Sequence, residues 1–148
     1  MTYQSPAKVN LFLHIISKRD DGYHNLQTIF QLLDYCDELN FDIRNDGKIN
    51  RTQGNENIPF EKDLIIQSAL KLKQLAPSNY GVDVGVIKKI PSGGGLGGGS
   101  SNAATTLIAL NKLWDINLPK TKLIELGKEL GADVPVFIDG RSSWAEGT

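Results

Sequence analysis

Every second residue from Ala7 to Ile15 is apolar, and this alternation within residues 5–16 predicts a β-strand at the start of the chain. One face of this strand carries five apolar residues: Ala7, Val9, Leu11, Leu13 and Ile15. The other face carries Lys8, Asn10, Phe12 and His14. Asp21 and Gly22 then form a turn signal, so we expect the chain to reverse direction there.

Two further strands are predicted over residues 26–33 and 37–44, the second with Leu39, Phe41 and Ile43 in alternation. Residues 45–59 are polar and rich in turn formers, so they are expected to form a loop. Apolar and polar residues alternate again over residues 80–90, which predicts another strand. One side of that strand carries Val82, Val84 and Val86.

Helical periodicity is found in three segments. Residues 61–76 form the first helix, closed by Pro77, with an apolar face of Leu64, Ala69, Leu72 and Leu75. The second spans residues 101–114, with a face of Ala103, Leu107, Leu110 and Trp114. The third spans residues 119–131, where Pro119 suits the first turn and Gly131 the C-terminal stop. Residues 132–140 and 142–147 are expected to form a loop and short strands. The mixture of elements predicts an α+β protein without an interdomain linker.

Composition fits a single domain. The length of 148 residues is close to the common domain size and leaves little room for a second full domain. The net charge of -1 gives no field of one sign, so nothing points to nucleic acid or an anionic membrane. No apolar run approaches the roughly 20 residues that a transmembrane helix needs. Cys36 is the only cysteine and no signal peptide is recognised, so a reducing, cytoplasmic compartment is expected.

A glycine-rich segment lies between the strand at 80–90 and the helix at 101–114. Six of the seven residues from Gly93 to Gly99 are glycine. A flexible linker is the simplest interpretation of such a run. Against it, the run joins a strand directly to a helix, Leu96 offers an apolar anchor, and Ser100, Ser101 and Asn102 are residue types that cap helices. These features favour a loop whose backbone N–H groups and following helix bind an anion.

Two kinds of anion loop can be compared with this segment. The Walker pattern is absent, because no GK[ST] occurs in the run. Gly93, Gly95 and Gly98 satisfy the dinucleotide pattern G-x-G-x-x-G, although a run of glycines satisfies it easily. The preceding strand alternates, which is typical of a half-solvated antiparallel strand. The nearest acidic candidate for a ribose, Asp115, follows the helix. A dinucleotide-binding oxidoreductase domain therefore ranks second.

The segment PSGGGLGGGSSNAA resembles the second motif of the GHMP kinases, a superfamily of small-molecule kinases. Three other segments resemble the same superfamily in order: PAKVNLFLHI, RDDGYHNLQTIFQLLDYCDEL, and GADVPVFIDG with AEG. The form of these motifs is similar to the branch whose acceptor is a cytidyl-diphosphate sugar alcohol of non-mevalonate isoprenoid synthesis. The match extends from residue 5 to residue 147, and GYHNLQTIF is its most discriminating part against other GHMP kinases.

The resemblance implies a fold and an activity. It implies the GHMP kinase N-terminal domain over residues 1–148, of the ribosomal protein S5 domain 2-like type, with a mostly antiparallel sheet packed with helices. It implies ATP-dependent phosphorylation of an alcohol with Mg²⁺. Enzymes of the superfamily have two domains, so the C-terminal domain is expected to be absent from this chain. An inactive nucleotide-binding fragment is therefore a further alternative. Another kinase of the superfamily, with a different alcohol acceptor, is the alternative within the same class.

The resemblance also implies roles for individual residues. Lys8 and Asp133 correspond to the catalytic pair, and Asn10, Tyr23 and His24 to substrate-binding positions. The ATP-binding positions are Pro91, Ser92, Gly93, Gly94, Gly95, Leu96, Gly97, Gly98, Gly99, Ser100, Ser101 and Lys88. Ser92 stands where the superfamily usually has Met, and Asp63 stands where relatives often have Asn near the adenine.

Each of these residues also has an ordinary structural interpretation. Lys8 could be a solvated charge on a strand edge, and Asp133 could cap its own backbone in a loop. Tyr23 and His24 could be turn residues, and Ser100 and Ser101 helix caps. No metal site is predicted in the chain itself, since two histidines and one cysteine make a zinc site very improbable. Mg²⁺ is often held mostly by phosphates and water.

Overall fold

The computed structural model describes the backbone of residues 1–18, 24–91 and 95–147, and the side chains of this part except residues 11–18, 24–29 and 141–147. Within it, four strands form one sheet in the order β1-β2-β4-β3. These are β1 (Thr2–Lys18), β2 (His24–Arg44), β3 (Ile49–Gln53) and β4 (Gly81–Ile87). The pairs β1–β2 and β2–β4 are antiparallel and β3–β4 is parallel, so the prediction of a mostly antiparallel sheet is confirmed.

Four α-helices in the described ranges accompany the sheet. They are α1 (Leu64–Lys73), α2 (Gly98–Leu113), α3 (Lys120–Leu130) and α4 (Val134–Gly147), with a short 3₁₀ turn at Phe60–Lys62 before α1. The core lies between the sheet and these helices, because Leu39, Phe41 and the three valines of β4 are buried against α1 and α2. Burying a large aliphatic or aromatic side chain contributes about 1.5–3 kcal/mol, so this cluster accounts for much of the stability. The predicted α+β class is confirmed.

Helix α2 is the central helix of the domain. Nine of its residues between Ser101 and Leu110 are buried, which is possible because most of them are small: Ala103, Ala104, Thr105, Thr106 and Ala109 among them. At its C-terminal end, Trp114 donates an indole N–H to the carbonyl oxygen of Gly81 at 3.1 Å. The start of β4 and the end of α2 are thus fixed to each other, and the glycine loop connects their opposite ends.

Several predicted elements have different bounds in the structure. Residues 26–33 and 37–44 form one strand, β2, because the residues between them include no glycine or proline, and the ladder with β1 resumes after a register shift between Pro6 and Lys8. The predicted loop at 45–59 contains β3, a polar edge strand with little apolar alternation to indicate it. β4 is an interior strand, antiparallel to β2 and parallel to β3. Its three valines are buried, whereas Asp83 and Ile87 on the other face are 27% and 44% exposed, in line with the half-solvated strand expected before the loop.

Two helical predictions also need correction. Leu75 lies beyond the end of α1 and is 49% exposed; the buried stripe of α1 consists of Ile65, Ile66, Ser68, Ala69 and Leu72. Residues 132–147 were expected to form a loop and short strands, but Val134–Gly147 is helix α4. The physical reason is that Val134, Phe137 and Ile138 have the i, i+3, i+4 spacing of one helical face, and all three are buried.

Candidate active site

The glycine loop leads directly into α2. Gly95 and Gly97 have positive φ angles of 74° and 72°, a conformation that favours glycine. The cap of α2 is Gly97, and no side chain caps the helix. The first intrahelical hydrogen bond runs from the Ser101 N–H to the Gly97 carbonyl oxygen at 2.8 Å. The N–H groups of residues 98–100 therefore have no intrahelical acceptor and lie at the positive end of the helix dipole.

The helix begins earlier than its polar residues suggest. Ser100, Ser101 and Asn102 were predicted to cap α2, but they lie inside its first turns. Gly97 in the left-handed conformation takes the capping position instead, because its backbone can turn into the helix without a side chain. The start of the helix consequently presents the backbone donors of Gly98 and Gly99 ahead of the first hydroxyl, that of Ser100.

A backbone hydrogen bond holds the loop against β1. The Lys8 N–H donates to the Leu96 carbonyl oxygen at 2.9 Å. The ladder between β1 and β2 is irregular at this point, with a register shift between Pro6 and Lys8. Leu96 therefore anchors the loop through its carbonyl oxygen and not through the apolar side-chain contact that was predicted, and the residue borders a cavity.

Lys8 is a buried lysine, only 4% exposed, and not a solvated edge charge. Because of the irregular ladder, Ala7 and Lys8 are both buried, which departs from the alternation predicted for this strand. The Lys8 ammonium lies 5.4 Å from the centre of the Phe30 ring, in a cation–π arrangement. Its Cε atom lies 3.3 Å from the position that a Cβ on Gly97 would occupy. The side chain of Lys8 thus runs alongside the last turn of the glycine loop.

Asp133 lies at the junction of α3 and α4, immediately before Val134. Two contacts bring this junction to the start of α2. A Cβ built on Gly131 would lie 3.9 Å from the Ser100 hydroxyl, and the Phe137 ring packs against Gly97. Phe137 lies in the first turn of α4, four residues after Asp133. Among the described side chains, no ion pair joins Asp133 to Lys8.

A cavity of about 690 Å³ opens beside the loop. Its walls are the start of α2, the end of β4 and the segment that leads into α1. The loop side is lined by Pro91, Gly95, Leu96, Gly97, Gly98, Gly99 and Ser100. The opposite side includes Asn55, Asn57, Ile58, Lys62, Asp63 and Leu64, with Lys88, Ile90 and Asn102 at the base.

Asp63 forms a buried hydrogen-bond centre in the wall of this cavity. One carboxylate oxygen caps α1 by accepting from the Ile65 N–H at 2.9 Å. The other accepts from Arg51 at 3.1 Å and from the Asn55 amide at 3.2 Å. Arg51 also donates to the Ile58 carbonyl oxygen at 2.8 Å. Both oxygens are therefore used in holding the segment from Asn55 to Asp63 in place.

A second buried carboxylate, Asp37, lies beneath the start of the loop and is fully buried. One oxygen accepts from the backbone N–H groups of Lys89 and Ile90 at 2.6 and 2.8 Å. The other accepts from the Lys88 ammonium at 2.6 Å and from the Asn102 amide at 3.1 Å. Burial alone would raise the pKa of Asp37, but the hydrogen bonds from Ile90, Lys88, Lys89 and Asn102 outweigh it and lower the pKa.

Sequence reasoning missed Asp37 and Asn102. Asp37 could have been recognised from the alternation along the strand, because it lies on the same strand face as the core residues Leu39 and Phe41. A charged residue on a core-facing position is unusual and indicates a specific partner. Asn102 carried no such signal, because a polar residue near a helix start is ordinary.

The predicted nucleotide residues fall into three groups: residues that line the cavity, a buried serine, and residues outside the described part of the chain. Ser100 lines the cavity, whereas Ser101 is fully buried and its hydroxyl is hydrogen-bonded to that of Ser5 at 2.9 Å. Lys88 lines the cavity and is paired with Asp37. Ser92, Gly93 and Gly94 lie outside the described residues.

The predicted acceptor residues are spread along the first two strands. Asn10 is exposed and pairs with Phe30 in the ladder, whereas the backbone of His24 pairs with Lys18. At about 3.3 Å per residue, eight residues of β1 correspond to roughly 26 Å, so the ladder does not bring Asn10 and His24 together. Tyr23 lies outside the described residues.

The described part of the chain has neither a cluster of metal-binding side chains nor a helix that could span a membrane. No group of three or more His, Cys, Asp or Glu side chains there is arranged to hold a metal ion. No helix there has the length and apolar character needed to cross a membrane.

Comparison with known proteins identifies the class. Residues 63–141, more than half of the chain, match the family described as GHMP kinases N terminal domain, so the chain belongs to the GHMP kinase family. The protein named 4-diphosphocytidyl-2-C-methyl-D-erythritol kinase from Ruthia magnifica is 58% identical over 99% of this chain and 51% of its own length. The protein of the same name from Nitrosococcus oceani is 55% identical over 99% of this chain and 52% of its own length.

A solved structure supports the same relationship. The crystal structure of 4-(cytidine 5'-diphospho)-2C-methyl-D-erythritol kinase superposes with a TM-score of 0.81 at 37% identity, covering 95% of this chain and 49% of that one. The expected GHMP kinase N-terminal fold is therefore confirmed. The chain spans about half the length of the curated relatives it matches.

Proposed function

We propose that this chain is the nucleotide-binding N-terminal domain of a 4-diphosphocytidyl-2-C-methyl-D-erythritol kinase. The activity would be ATP-dependent phosphorylation of the 2-hydroxyl of that cytidyl-diphosphate sugar alcohol, in non-mevalonate isoprenoid precursor synthesis. The observation that carries the proposal is the uncapped start of α2 beside the buried Lys8, which together offer backbone donors and a fixed cation. The names of the relatives at 50–58% identity supply the acceptor.

The cavity beside the loop fits a nucleotide. Its volume of about 690 Å³ is in the range of small-molecule sites. Triphosphate oxygens would accept hydrogen bonds from the N–H groups at the start of α2, where the helix dipole also favours negative charge. Glycine at positions 97–99 allows this approach because no Cβ stands between the backbone and the phosphate. The base would extend towards the segment from Asn55 to Leu64, with Asp63 shaping that wall.

Lys8 and Asp133 would act on the acceptor hydroxyl and the transferring group. The acceptor oxygen forms a bond to the γ-phosphorus while the bond from that phosphorus to the β,γ-bridging oxygen breaks. The hydroxyl proton passes to the Asp133 carboxylate. The ammonium of Lys8, buried and positioned by Phe30, stabilises the negative charge that develops on the phosphoryl oxygens. Transfer would be direct, since no activated nucleophile suggests a phosphoenzyme.

Mg²⁺ would assist by neutralising phosphate charge. Since the described residues contain no acidic cluster for a metal, most of its ligands would come from phosphates and water. Ser100 is the hydroxyl that borders the cavity and is the protein group best located to contribute.

The proposal predicts an extended acceptor site along β1 and β2. Asn10 would contact the end of the acceptor near the reacting hydroxyl, and Tyr23 and His24 would contact the cytosine. An elongated cytidyl-diphosphate ligand suits residues that are far apart in the ladder better than a compact alcohol would. Mevalonate and homoserine are therefore suitable compact alcohols to compare with the cytidyl-diphosphate acceptor in a turnover assay.

The decisive experiment measures ATP-to-ADP turnover with Mg²⁺ and the cytidyl-diphosphate acceptor, using the chain and its Asp133→Asn and Lys8→Met variants. We expect turnover with this acceptor alone, reduced at least 100-fold in both variants, with ATP affinity changed little by Asp133→Asn. Asp139→Asn, an exposed aspartate that pairs with Lys120, is the control. Absence of ATP binding by the unaltered chain would contradict the proposal, whereas binding without turnover would restrict this chain to the nucleotide site.

A further inference from the structure

The backbone between β4 and the glycine loop is held by side chains of β2. The last ladder pair joins Glu38 to Ile87, and beyond it the two strands no longer exchange backbone hydrogen bonds. Asp37 continues the connection by accepting from the N–H groups of Lys89 and Ile90. Tyr35, two residues earlier on β2, donates its hydroxyl to the Lys89 carbonyl oxygen at 2.5 Å. Two residues of β2 thus fix the backbone immediately before the loop.

The same carboxylate is connected to the lining of the cavity through two side chains. Its second oxygen accepts from Lys88 and Asn102, and both of these residues line the cavity whereas Asp37 does not. Asn102 also accepts from the Lys88 ammonium at 2.9 Å and donates to the Ser5 hydroxyl at 2.8 Å. Asp37 therefore joins the end of β4 to the first turns of α2, the two elements that the glycine loop connects.

We propose that Asp37 is a positioning residue of the nucleotide site, acting through Lys88 and through the backbone at the start of the glycine loop. The inference rests on the proposed function, since it concerns the binding of ATP phosphates. Asp37 fixes the distance between the end of β4 and the start of α2. The N–H groups at the start of α2 therefore converge on one point. Asp37 also holds the Lys88 ammonium at the base of the cavity, 3.4 Å from the position of a Cβ on Gly98.

A carboxylate is required here because four donors meet at Asp37. A carboxylate has only acceptor sites and can satisfy all four, with two donors on each oxygen. An asparagine can accept from Lys89 and Ile90 with its single oxygen. Its NH₂ group would then face the donors of Lys88 and Asn102, which would have to move apart. Asp37→Asn therefore changes the position of Lys88 with minimal change in volume.

The experiment compares ATP binding to the unaltered chain and to Asp37→Asn by calorimetry, with inorganic tripolyphosphate and adenosine as separate probes. We expect at least tenfold weaker binding of ATP and tripolyphosphate and unchanged binding of adenosine. Asp42→Asn, an exposed aspartate on the same strand, is the control and should bind as the unaltered chain does. If Lys88 mediates the effect, the double variant Lys88→Met, Asp37→Asn should show a smaller fold-loss of ATP affinity than the product of the fold-losses in the two single variants.

Three other results of this binding experiment would contradict either the role of Asp37 or the proposed function. Unchanged or tighter ATP binding by a folded Asp37→Asn variant would overturn the inference, because Asp37 would then be only a counter-ion that restrains Lys88. A loss that affects adenosine as much as tripolyphosphate would indicate general loosening of the domain and would also overturn it. If the unaltered chain does not bind ATP, the proposed function itself fails, which is distinguishable from both results.

A second variant keeps the inference testable if Asp37→Asn does not fold. Tyr35 is 48% exposed, so Tyr35→Phe removes the hydrogen bond to Lys89 without opening the core. We expect a two- to fivefold loss of tripolyphosphate affinity with the melting temperature nearly unchanged. Equal affinity in Tyr35→Phe and the unaltered chain would count against the positioning of the loop by β2.

Discussion

The ring of Phe137 lies against the backbone of Gly97, so closely that no side chain fits between them. A Cβ built on Gly97 would lie 2.7 Å from Cζ and 2.9 Å from Cε2 of that ring. Gly97 also has a φ of 72°, which L side chains rarely adopt. Helix α4 therefore supports the point where the glycine loop becomes helix α2, beside Lys8. Two independent constraints, contact and conformation, require glycine at this position.

Gly97→Ala is expected to lower the free energy of unfolding by about 2–5 kcal/mol, the sum of left-handed backbone strain and overpacking against Phe137. Because the strain lies at the start of α2, ATP affinity should fall as well. Urea unfolding followed by tryptophan fluorescence measures the stability, and calorimetry measures the binding.

Gly95→Ala is the matched control for this substitution. Gly95 has nearly the same φ, 74°, but nothing lies within 4 Å of the position of its Cβ. Gly95→Ala should lower the free energy of unfolding only by the backbone strain, about 1–2 kcal/mol. Equal losses in the two variants would mean that the contact with Phe137 carries no energy.

Asp63→Ala should destabilise the domain by about 2–4 kcal/mol, since it removes the cap of α1 and leaves the mostly buried Arg51 without its carboxylate. Asp63→Asn should cost less, because an amide oxygen can still cap the helix. Glu61→Ala, an exposed neighbour, should change the stability by no more than about 0.5 kcal/mol. Unfolding midpoints in urea give all three values, and an Asp63→Asn variant as unstable as Asp63→Ala would show that the ion pair dominates.

The contribution of Asp37 to stability should depend on pH in the acid range. Its pKa in the folded state lies below the ordinary value of 3.8. A group with a lowered folded pKa contributes stability that is present above its unfolded pKa and is lost as the pH falls through its folded pKa. The difference in unfolding free energy between the unaltered chain and Asp37→Asn should therefore be constant from about pH 5 to 7 and shrink below about pH 4.

Unfolding curves between pH 3 and 7 measure this difference directly. Other carboxyls with lowered pKa values, such as Glu129 beside Lys71, are common to both proteins and cancel in the comparison. Asp42→Asn serves again as the exposed control on the same strand. A difference that grows as the pH falls would contradict the assigned direction of the Asp37 pKa.

The elements that sequence predicted well are those in which local pattern and tertiary environment agree. Val82, Val84 and Val86 alternate and are buried, and α3 begins after Pro119 and ends at Gly131 as expected. The elements it missed depend on long-range contacts. β3 is recognisable only through its partner β4, and α4 only through the helices on which Val134, Phe137 and Ile138 pack.

The sequence motifs of the candidate site could be predicted, but the hydrogen-bond network that holds them in place could not. The glycine run and its helix indicate an anion loop through local chemistry, and the family resemblance assigns Lys8 and Asp133. The network of Asp37, Lys88 and Asn102 joins residues more than fifty positions apart, so no local pattern contains it. The left-handed cap at Gly97 was likewise hidden, because every residue from Gly98 to Asn102 is also glycine or a capping type.

Ser100 and Ser101 offer a test of the site with adjacent, chemically identical residues. Ser101 is fully buried and hydrogen-bonded to Ser5, so Ser101→Ala should lower the unfolding free energy by about 1 kcal/mol and leave ATP affinity nearly unchanged. Ser100 borders the cavity, so Ser100→Ala should weaken ATP binding severalfold in the presence of Mg²⁺ with little effect on stability. Denaturation and calorimetry on the same two variants separate the roles. The reverse pattern, with Ser101→Ala losing affinity and Ser100→Ala losing stability, would mean that the phosphates lie on the other side of the first turn of α2.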